Sequence, residues 1–140
     1  MKIRSLMTTP CITISPEESA AVASRTLTHY NIGILPVCAD DGALQGVLTD
    51  RDIVTRCLAS AKDPQKTLVR DIMTHQVRAV NPDMDLSAAA HLMGTQQIRR
   101  LPVLENGKLC GLLSLGDLAA REETSIDAAD ALSDIISNIR

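Results

Sequence analysis

The pattern of apolar and polar positions passes through the same order of elements twice along the 140 residues. Each pass has a short apolar segment, a stretch with apolar residues at helical spacing, two apolar segments separated by a turn, and a second helix start. The two passes align at an offset of 66 residues, which becomes 65 after the turn. Prolines, glycines and aspartates stay in register in this alignment, so the sequence indicates an internal duplication.

Each repeat is predicted to begin with a strand followed by a helix. The strands are Cys11–Ile14 and Val77–Val80. The helices are predicted to start at Ser15-Pro16-Glu17-Glu18 and Asn81-Pro82-Asp83, where a capping residue precedes a proline. The predicted buried helix faces are Ala20, Ala23, Leu27 and Tyr30 in the first repeat and Leu86, Ala89 and Met93 in the second.

Two further strands and a last helix complete each repeat, which gives the order β-α-β-β-α. In the first repeat the strands are Ile34–Cys38 and Ala43–Thr49, and in the second repeat Asn106-Gly107 is typical of a hairpin turn. The last helix is predicted to open after Asp52 or Asp117. Neither half is large enough to bury much apolar surface alone, so a shared core is expected.

The predicted boundaries are a first repeat over residues 1–60, a linker over 61–67, a second repeat over 68–123 and a terminal helix over 124–140. That helix has no counterpart in the duplication. Its apolar stripe is Ile126, Ala129, Leu132, Ile135, Ile136 and Ile139. Packing on its own domain and contact within a dimer are both open for this stripe.

Composition narrows the class of protein. There is no Trp or Phe and one Tyr, so stacking platforms for single-stranded nucleic acid are disfavoured. A net charge of −3 gives no attraction to nucleic acid or to anionic lipid. No apolar run reaches the ~20 residues that span a bilayer. The N-terminal sequence has no signal-peptide core. The expected partners therefore include neither nucleic acid nor membrane, and the expected location is the cytoplasm.

The cysteines and histidines show no catalytic or metal-binding spacing. Buried reduced thiols are the favoured interpretation of most of the four cysteines, and a redox pair of Cys11 with Cys38 is the alternative. The chain has no Gly-rich phosphate loop and no arrangement typical of nucleophilic catalysis, so an enzyme is not predicted.

The candidate chemistry lies at a corner that occurs twice. Thr49 precedes Asp52 by three residues, and Ser114 precedes Asp117 by the same spacing. Hydroxyl and backbone N–H groups at a helix start favour an anion such as phosphate, and a carboxylate there can accept hydrogen bonds from ribose hydroxyls. The alternative is that these residues only cap two helices. Two copies in matching contexts favour a binding site.

These residues resemble a pair of CBS domains, often called a Bateman module. The resemblance rests on the duplicated Leu-Pro-Val strand, the hairpin and the corner, and it covers residues 1–121. Asn31–Cys38 followed by Leu48–Val54 is similar to small stand-alone members. The resemblance implies an α+β fold of two tandem β-α-β-β-α CBS repeats, packed by their sheets with pseudo-two-fold symmetry.

The resemblance also implies a regulatory module without catalysis, which binds AMP, ADP, ATP or S-adenosylmethionine, forms a homodimer through its helices and acts on an unidentified protein target. Asp52 and Asp117 would hold ribose hydroxyls at two sites, with Thr49 and Ser114 near ribose or phosphate. The remaining expected binding residues are Thr13, Ile14, Ala79 and Val80 beside the base, and Ile34, Pro36, Arg99, Arg100 and Pro102 around the Leu-Pro-Val strands.

The two sites are not expected to be equal. Arg99 and Arg100 precede the strand of the second repeat, where the first repeat has Gly33 and Ile34. By the resemblance, this segment serves the site that carries the other repeat's aspartate, so the arginines would bind phosphate at the Asp52 site. A solvated surface pair is the alternative for them. A structural dimerisation or redox-responsive protein that binds no nucleotide is the alternative function.

Overall fold

The computed structural model describes residues 1–137. It contains two compact units, and each is described by itself. The first-repeat unit comprises Ile12–Val77 and Gly107–Leu109, and the second-repeat unit comprises Met1–Cys11, Arg78–Asn106 and the chain from Cys110 onward. The α+β class and the presence of two repeats are confirmed.

The first-repeat unit is an antiparallel hairpin flanked by helices. Helix α1 (Ala20–Tyr30) precedes β1 (Ile34–Cys38) and β2 (Leu44–Thr49). The strands pair with Ile34 opposite Thr49. Helix α2 (Asp50–Ile53) continues as a π-helical turn, Val54–Leu58, and the short α3 (Val69–Ile72) follows.

The second-repeat unit has the same plan with one more helix. Helix α4 (Leu86–Gln96) precedes the hairpin of β3 (Arg100–Glu105) and β4 (Lys108–Ser114). Helix α5 (Leu115–Ala119) and the terminal α6 (Ser125–Ile136) complete it. Short 3₁₀ turns lie at Ile3–Ser5 and Glu122–Thr124. No helix within residues 1–137 is long and apolar enough to cross a membrane.

The predicted first strand of each repeat is reduced to a single bridged residue. Ile14 pairs in parallel with Val37, and Val80 pairs in parallel with Val103. The Ile14 N–H donates to the Pro36 carbonyl at 3.0 Å. The strands predicted over Cys11–Ile14 and Val77–Val80 are therefore wrong in length, because only one residue of each reaches the hairpin.

Both helix starts predicted at a proline are wrong by several residues. The Ser15 hydroxyl accepts from the Glu17 N–H at 3.2 Å, so this residue closes a local turn and does not cap α1. The helix begins at Ala20, where the Ser19 side chain accepts from the Val22 N–H. In the second repeat, the helix begins at Leu86. On α1, Tyr30 is half exposed, unlike the buried Ala20, Ala23 and Leu27.

The compact units and the sequence repeats do not coincide at their N-terminal segments. In the second-repeat unit, Thr8 and Leu112 exchange two backbone hydrogen bonds of 2.9 and 3.1 Å. In the first-repeat unit, Val47 and Thr74 exchange two of 3.0 and 2.8 Å. The opening segment of each repeat therefore completes the unit that contains the other repeat's hairpin.

Gly46 allows one of these close approaches. A β-carbon on Gly46 would stand 2.5 Å from the Thr74 carbonyl oxygen and 3.0 Å from the Met73 sulfur. A separation of 2.5 Å from a backbone oxygen is shorter than real β-carbon contacts, so a side chain at Gly46 would push Thr74 off the hairpin. Glycine is required here because the backbone of another segment occupies the place of its side chain.

Each unit buries its own apolar cluster, whereas the sequence predicts one shared core. Leu35, Leu48 and Ile72 are fully buried in the first-repeat unit. Leu101, Leu113 and Leu118 are fully buried in the second-repeat unit, where α6 adds Ala128, Ala131 and Ile135. The exchanged segments provide part of each cluster, since Ile3 and Ile72 are fully buried in their units.

The apolar stripe predicted on α6 is wrong in its orientation. Ala128, Ala131 and Ile135 are buried, whereas Ile126, Leu132 and Ile136 are exposed by 76%, 38% and 50%. Small residues form the buried face because α4 approaches closely at Gly94, where a β-carbon would stand 3.2 Å from the Ala131 Cα. The helix packs on its own unit through this other face, and Ile135 is the one residue of the predicted stripe that is buried among residues 125–137, so contact within a dimer stays a prediction for the rest. Ile139 lies outside the described residues.

Candidate functional site

Both duplicated corners are capping boxes. The Asp52 N–H donates to Thr49 Oγ1 at 3.1 Å, and the Thr49 N–H donates to Asp52 Oδ2 at 3.0 Å. The second corner repeats this geometry, with the Asp117 N–H to Ser114 Oγ at 3.0 Å and the Ser114 N–H to Asp117 Oδ2 at 2.9 Å. The helices therefore begin at Asp50 and Leu115, three residues or so earlier than predicted.

The capping hydrogen bond uses one of the two carboxylate oxygens of each aspartate. In both corners, Oδ2 accepts the backbone N–H of the capping residue, and the same carboxylate has a second oxygen. A carboxylate has about four lone-pair positions, so a capping aspartate retains acceptors for ligand hydroxyls. Capping and ligand binding are therefore compatible functions of Asp52 and Asp117.

Arg56 distinguishes the first corner from the second. Its Nε lies 3.8 Å from Asp52 Oδ1, and its Nη1 donates to the carbonyl oxygens of Ile72 at 3.2 Å and Met73 at 2.9 Å. Asp52 is 8% exposed, while Asp117 is partly exposed and has no ion pair within 4.0 Å among residues 1–137. The first carboxylate is therefore more tightly held.

Sequence reasoning did not single out Arg56, although a signal was present. The offset of 65 residues places Arg121 at the equivalent position of the second repeat. Arg121 Nη1 lies 4.0 Å from the Met1 sulfur and takes no part in the second corner. A basic residue four positions after a capping aspartate is one helical turn away from it, so the repeated spacing indicates a pair.

Backbone groups that were predicted to border a base lie along the hairpins. In the first-repeat unit, Ile14 lies against Pro36, and the Cys38 N–H donates to the Ile14 carbonyl at 3.0 Å. In the second-repeat unit, the Val80 N–H donates to the Pro102 carbonyl at 3.0 Å and the Leu104 N–H to the Val80 carbonyl at 2.8 Å. Thr13 and Ala79 directly precede these paired residues, with Thr13 exposed and Ala79 partly exposed.

Several predicted binding residues therefore come together within each unit. In the first-repeat unit, Ile34 pairs with Thr49 at the end of the hairpin, and Thr49 contacts Asp52. In the second-repeat unit, the Leu115 N–H at the corner donates to the Arg99 carbonyl at 2.8 Å. In the first-repeat unit β1, and in the second-repeat unit β3, therefore runs from the residues predicted to border the base to the aspartate corner.

Arg99 and Arg100 lie at a groove in the second-repeat unit. The groove has a volume of about 530 Å³, and Ser114, Leu115 and the α6 residues Ala129 and Leu132 also line it. Both arginines are exposed, and neither is among the ion-paired residues of the described chain. Their guanidinium groups are available to an anion, and their assignment to the nucleotide held by Asp52 stays a prediction.

The Cys38 and Cys110 thiols do not have the environment of reactive cysteines. Burial raises the pKa of the Cys38 thiol. Burial also raises the pKa of Cys110, and the negative charge of Glu105 adds to this effect. Both changes lower the thiolate fraction near neutral pH, and the thiolate is the reactive form. No group of three or more His, Cys, Asp or Glu residues suited to a metal ion occurs in residues 1–137.

Two hairpin-and-helix units with a duplicated aspartate corner define a class of tandem-repeat protein, and comparison with known proteins identifies its family. The family model for the CBS domain matches residues 3–59 and 69–124. This chain therefore belongs to the CBS-domain family and carries two copies of the domain.

The similar proteins agree with this assignment. The CBS domain-containing protein YhcV of Bacillus subtilis is 38% identical over 133 residues, which cover 95% of this chain and 94% of the relative. The crystal structure of CBSX2 in complex with AMP has a TM-score of 0.76 and 29% identity, covering 89% of this chain and 97% of that chain.

A second similar structure contains other adenosine compounds. The CBS-domain pair of MJ0100, in complex with methylthioadenosine and S-adenosyl-L-methionine, has a TM-score of 0.76 and 26% identity, covering 86% of this chain and 94% of that chain. The family match and these complexes support a regulatory ligand-binding module.

Proposed function

We propose that this protein is a cytoplasmic sensor of an adenosine-containing ligand, namely AMP, ADP, ATP or S-adenosylmethionine. It has no catalytic activity, forms a homodimer and passes the bound state to a protein target. The observation that carries this proposal is the pair of capping-box aspartates, each of which retains carboxylate acceptors beside a hairpin edge. Ribose offers two neighbouring hydroxyl donors, which suit such a carboxylate.

Asp52 is the residue to which we assign the stronger site. Asp52 is 8% exposed, and its carboxylate is held by both the Thr49 N–H and Arg56, so it loses little freedom when a ligand binds. Asp117 is more exposed and is not held by an arginine in the described chain. A preorganised acceptor binds more tightly than a mobile one, so the first corner is favoured.

Arg99 and Arg100 are the residues to which we assign the ligand's phosphate. A guanidinium forms charge-assisted hydrogen bonds with phosphate oxygens, and both side chains are exposed and available. The first repeat has Gly33 and Ile34 at the equivalent positions and offers no cation there. This difference supports one phosphate-binding site and one weaker or empty site.

The redox-responsive alternative is less favoured. Burial raises the pKa of Cys38, which makes this thiol a poorer partner for the proposed pair with Cys11. The Cys11 thiol donates to the Thr8 carbonyl at 3.6 Å, within the opening segment of the second-repeat unit. Neither observation provides the electropositive surroundings of a redox-sensing cysteine.

Calorimetric titration with AMP, ATP and S-adenosylmethionine tests the main proposal. The decisive variants are Asp52→Asn and Asp117→Asn, because asparagine still accepts the capping hydrogen bond but loses the charge. A hydrogen bond to a charged group is worth about 1.5–3 kcal/mol, so Asp52→Asn should weaken binding by about tenfold or more. Asp117→Asn and the exposed neighbour variant Asp50→Asn should change it little.

The phosphate assignment has a separate readout. The double variant Arg99→Gln with Arg100→Gln should weaken AMP much more than adenosine, whereas Asp52→Asn should weaken both. Equal losses from Asp52→Asn and Asp117→Asn, or a loss from Asp117→Asn alone, would overturn the assignment of the sites. Failure of all of these compounds to bind the wild-type protein would overturn the function itself.

A further inference from the structure

Arg56 connects two parts of the first-repeat unit that are distant in the sequence. Its Nε faces Asp52 Oδ1 at 3.8 Å, and its Nη1 donates to the carbonyl oxygens of Ile72 and Met73. Those carbonyls lie at the end of α3, in the opening segment of the second repeat. One guanidinium therefore contacts the candidate ribose acceptor through one nitrogen and the opening segment through another.

The contact with Arg56 orients the Asp52 carboxylate but leaves Oδ1 available. Oδ2 accepts from the Thr49 N–H at 3.0 Å. A separation of 3.8 Å between Arg56 Nε and Oδ1 allows electrostatic attraction but is too long for a hydrogen bond. Arg56 therefore favours one orientation of the carboxylate without using the lone pairs of Oδ1. A ligand hydroxyl can donate to Oδ1 while Arg56 stays in place.

The end of α3 depends on the same guanidinium. We call Val69–Thr74 the α3 segment. Helix α3 is a single turn, so its last carbonyl groups need partners outside the helix, and a cationic side chain provides them. The Ile72 and Met73 carbonyls accept from Arg56, and Thr74 then pairs with Val47 of β2. Arg56 and the Thr74 pairing together hold the α3 segment on its unit.

The second repeat has an arginine at the equivalent position but lacks this connection. Helix α5 ends two residues before Arg121, whose backbone is extended, with φ −104° and ψ 133°. The helical path from Asp117 is therefore interrupted before Arg121. In the first repeat, the helical backbone continues through the π-helical turn Val54–Leu58, so Arg56 lies one turn after Asp52. A π-helical turn inside a helix is frequent at functional sites.

We propose that Arg56 is a positioning residue that couples occupation of the Asp52 site to the order of the α3 segment. A ribose hydroxyl that donates to Oδ1 fixes the carboxylate, the carboxylate steadies the guanidinium by opposite charge, and the guanidinium holds the last carbonyls of α3. Coupling between two sites is reciprocal, so local opening of the α3 segment weakens ligand binding by the same factor. This inference rests on the proposed function and names the segment that responds to the ligand.

The α3 segment is suited to passing the bound state to a protein target. Its inner side is fully buried at Val69 and Ile72, whereas Arg70 and Asp71 are exposed. Arg70 Nη1 donates to Glu17 Oε1 at 2.7 Å, so the exposed side also carries an ion pair. A change in the order of the segment therefore changes a charged patch that another protein can contact.

Calorimetric titration with AMP and with 2′,3′-dideoxy-AMP tests the positioning. The second compound lacks both ribose hydroxyls, so it makes no hydrogen bond to Asp52. Arg56→Gln should weaken AMP by about fivefold or more, which is the lower end of typical coupling between sites. The same variant should change the affinity for the dideoxy compound by less than about twofold, because a positioning residue acts only through the contact it positions.

Two arginines provide matched controls. Arg121→Gln changes the equivalent residue of the second repeat, and Arg25→Gln changes an exposed residue of α1 in the same unit as Arg56. Both variants should bind the two compounds like the wild type. Circular dichroism should show that all three variants remain folded.

Hydrogen exchange of the wild-type protein tests the coupling without any variant. Saturating AMP should slow exchange of the Met73 and Thr74 N–H groups by about fivefold or more, the same factor as the loss of affinity. At equal saturation, 2′,3′-dideoxy-AMP should slow them by less than about twofold, because it does not engage Oδ1. In Arg56→Gln, AMP at equal saturation should slow them no more than the dideoxy compound does in the wild type.

The possible contrary results separate this inference from the proposed function. Equal weakening of both compounds by Arg56→Gln, or unchanged AMP binding, would overturn the positioning. Equal protection of the α3 segment by the two compounds, or protection that persists in Arg56→Gln, would overturn the coupling. In each case the wild type still binds AMP and the proposed function stands. A wild type that does not bind AMP would overturn this inference, and one that also fails to bind ATP and S-adenosylmethionine would overturn the proposed function.

Discussion

Gly94 of α4 lies directly against Asp134 of α6. A β-carbon on Gly94 would stand 2.9 Å from Asp134 Oδ2 and 3.2 Å from the Ala131 Cα, so the absent side chain of Gly94 is what lets the two helices touch. The Asp134 carboxylate can move aside, but the Ala131 backbone cannot. This contact therefore fixes how closely the terminal helix packs on its unit.

Replacing Gly94 with threonine, the residue that the first repeat has at this position, should loosen α6. Overpacking of this kind costs about 1–3 kcal/mol, which exceeds the gain in helix propensity over glycine. The free energy of unfolding, measured with urea, should fall by that amount. Amide hydrogen exchange should accelerate along Ser125–Ile136 before it does so in β3 and β4.

The reciprocal variant Thr28→Gly is the matched control. Thr28 is exposed, so this change should cost only the propensity difference of about 1 kcal/mol or less. Its hydrogen exchange should remain unchanged along α6. Equal destabilisation and equal loosening of α6 in both variants would show that Gly94 has no special packing function.

Gly46 and Gly116 should respond in opposite directions to alanine. At Gly46 the new methyl group would meet the Thr74 carbonyl and Met73, so Gly46→Ala should reduce the free energy of unfolding by about 2 kcal/mol or more. Gly116 is exposed in α5, and only the Ser114 hydroxyl lies within 4 Å, at 3.7 Å. Gly116→Ala should therefore raise that free energy by about 0.5–1 kcal/mol. Thermal denaturation of both variants measures the difference in sign.

The capping boxes should contribute to stability without any ligand. Thr49→Ala and Ser114→Ala each remove the oxygen that accepts the aspartate N–H, and each should cost about 1 kcal/mol in urea unfolding. Thr49→Ser and Ser114→Thr retain the hydroxyl and should cost only a few tenths of that. If the alanine variants were as stable as the wild type, the hydroxyls would have no capping function in solution.

The thiol of Cys38 should alkylate slowly near neutral pH. Its pKa is raised by burial, so the protonated form persists to higher pH than in an ordinary cysteine and the thiolate fraction at pH 8 is smaller. The rate of reaction with iodoacetamide, followed by mass spectrometry, should be below that of free cysteine at pH 8. It should still be rising with pH where the rate for free cysteine has levelled off. A faster rate than free cysteine would favour the redox-responsive alternative.

The parts of the fold that were predictable from sequence have strong local determinants. Ile34–Cys38 is predicted to the residue because an apolar run with the β-branched residues Ile34 and Val37 precedes a turn, and the Asn106-Gly107 turn occurs at its predicted place. The buried positions Ala23 and Ala89 followed from helical spacing. The family followed from the order and duplication of these signals.

The errors occurred where tertiary contacts override local signals. Ser15 and Asn81 have the side chains of helix caps, but both close turns on their own backbone before the helix begins. The buried face of α6 was assigned to the largest apolar residues, whereas close approach at Gly94 selects Ala128 and Ala131. The contact of Arg56 with Asp52 is missed because its sequence signal is a spacing of four residues, which Arg121 shares with Asp117 without making the same contact.

Because the repeats exchange their opening segments, a compact unit of this chain is not the same set of residues as a sequence repeat. Met1–Cys11 completes the unit that contains β3 and β4, and Thr74 completes the unit that contains β1 and β2. A cut within residues 61–67 would therefore give two fragments, neither of which contains all the segments of one compact unit. Such fragments should fold together and not separately. The repeat is the unit that was copied in the gene, but it is not the unit that folds.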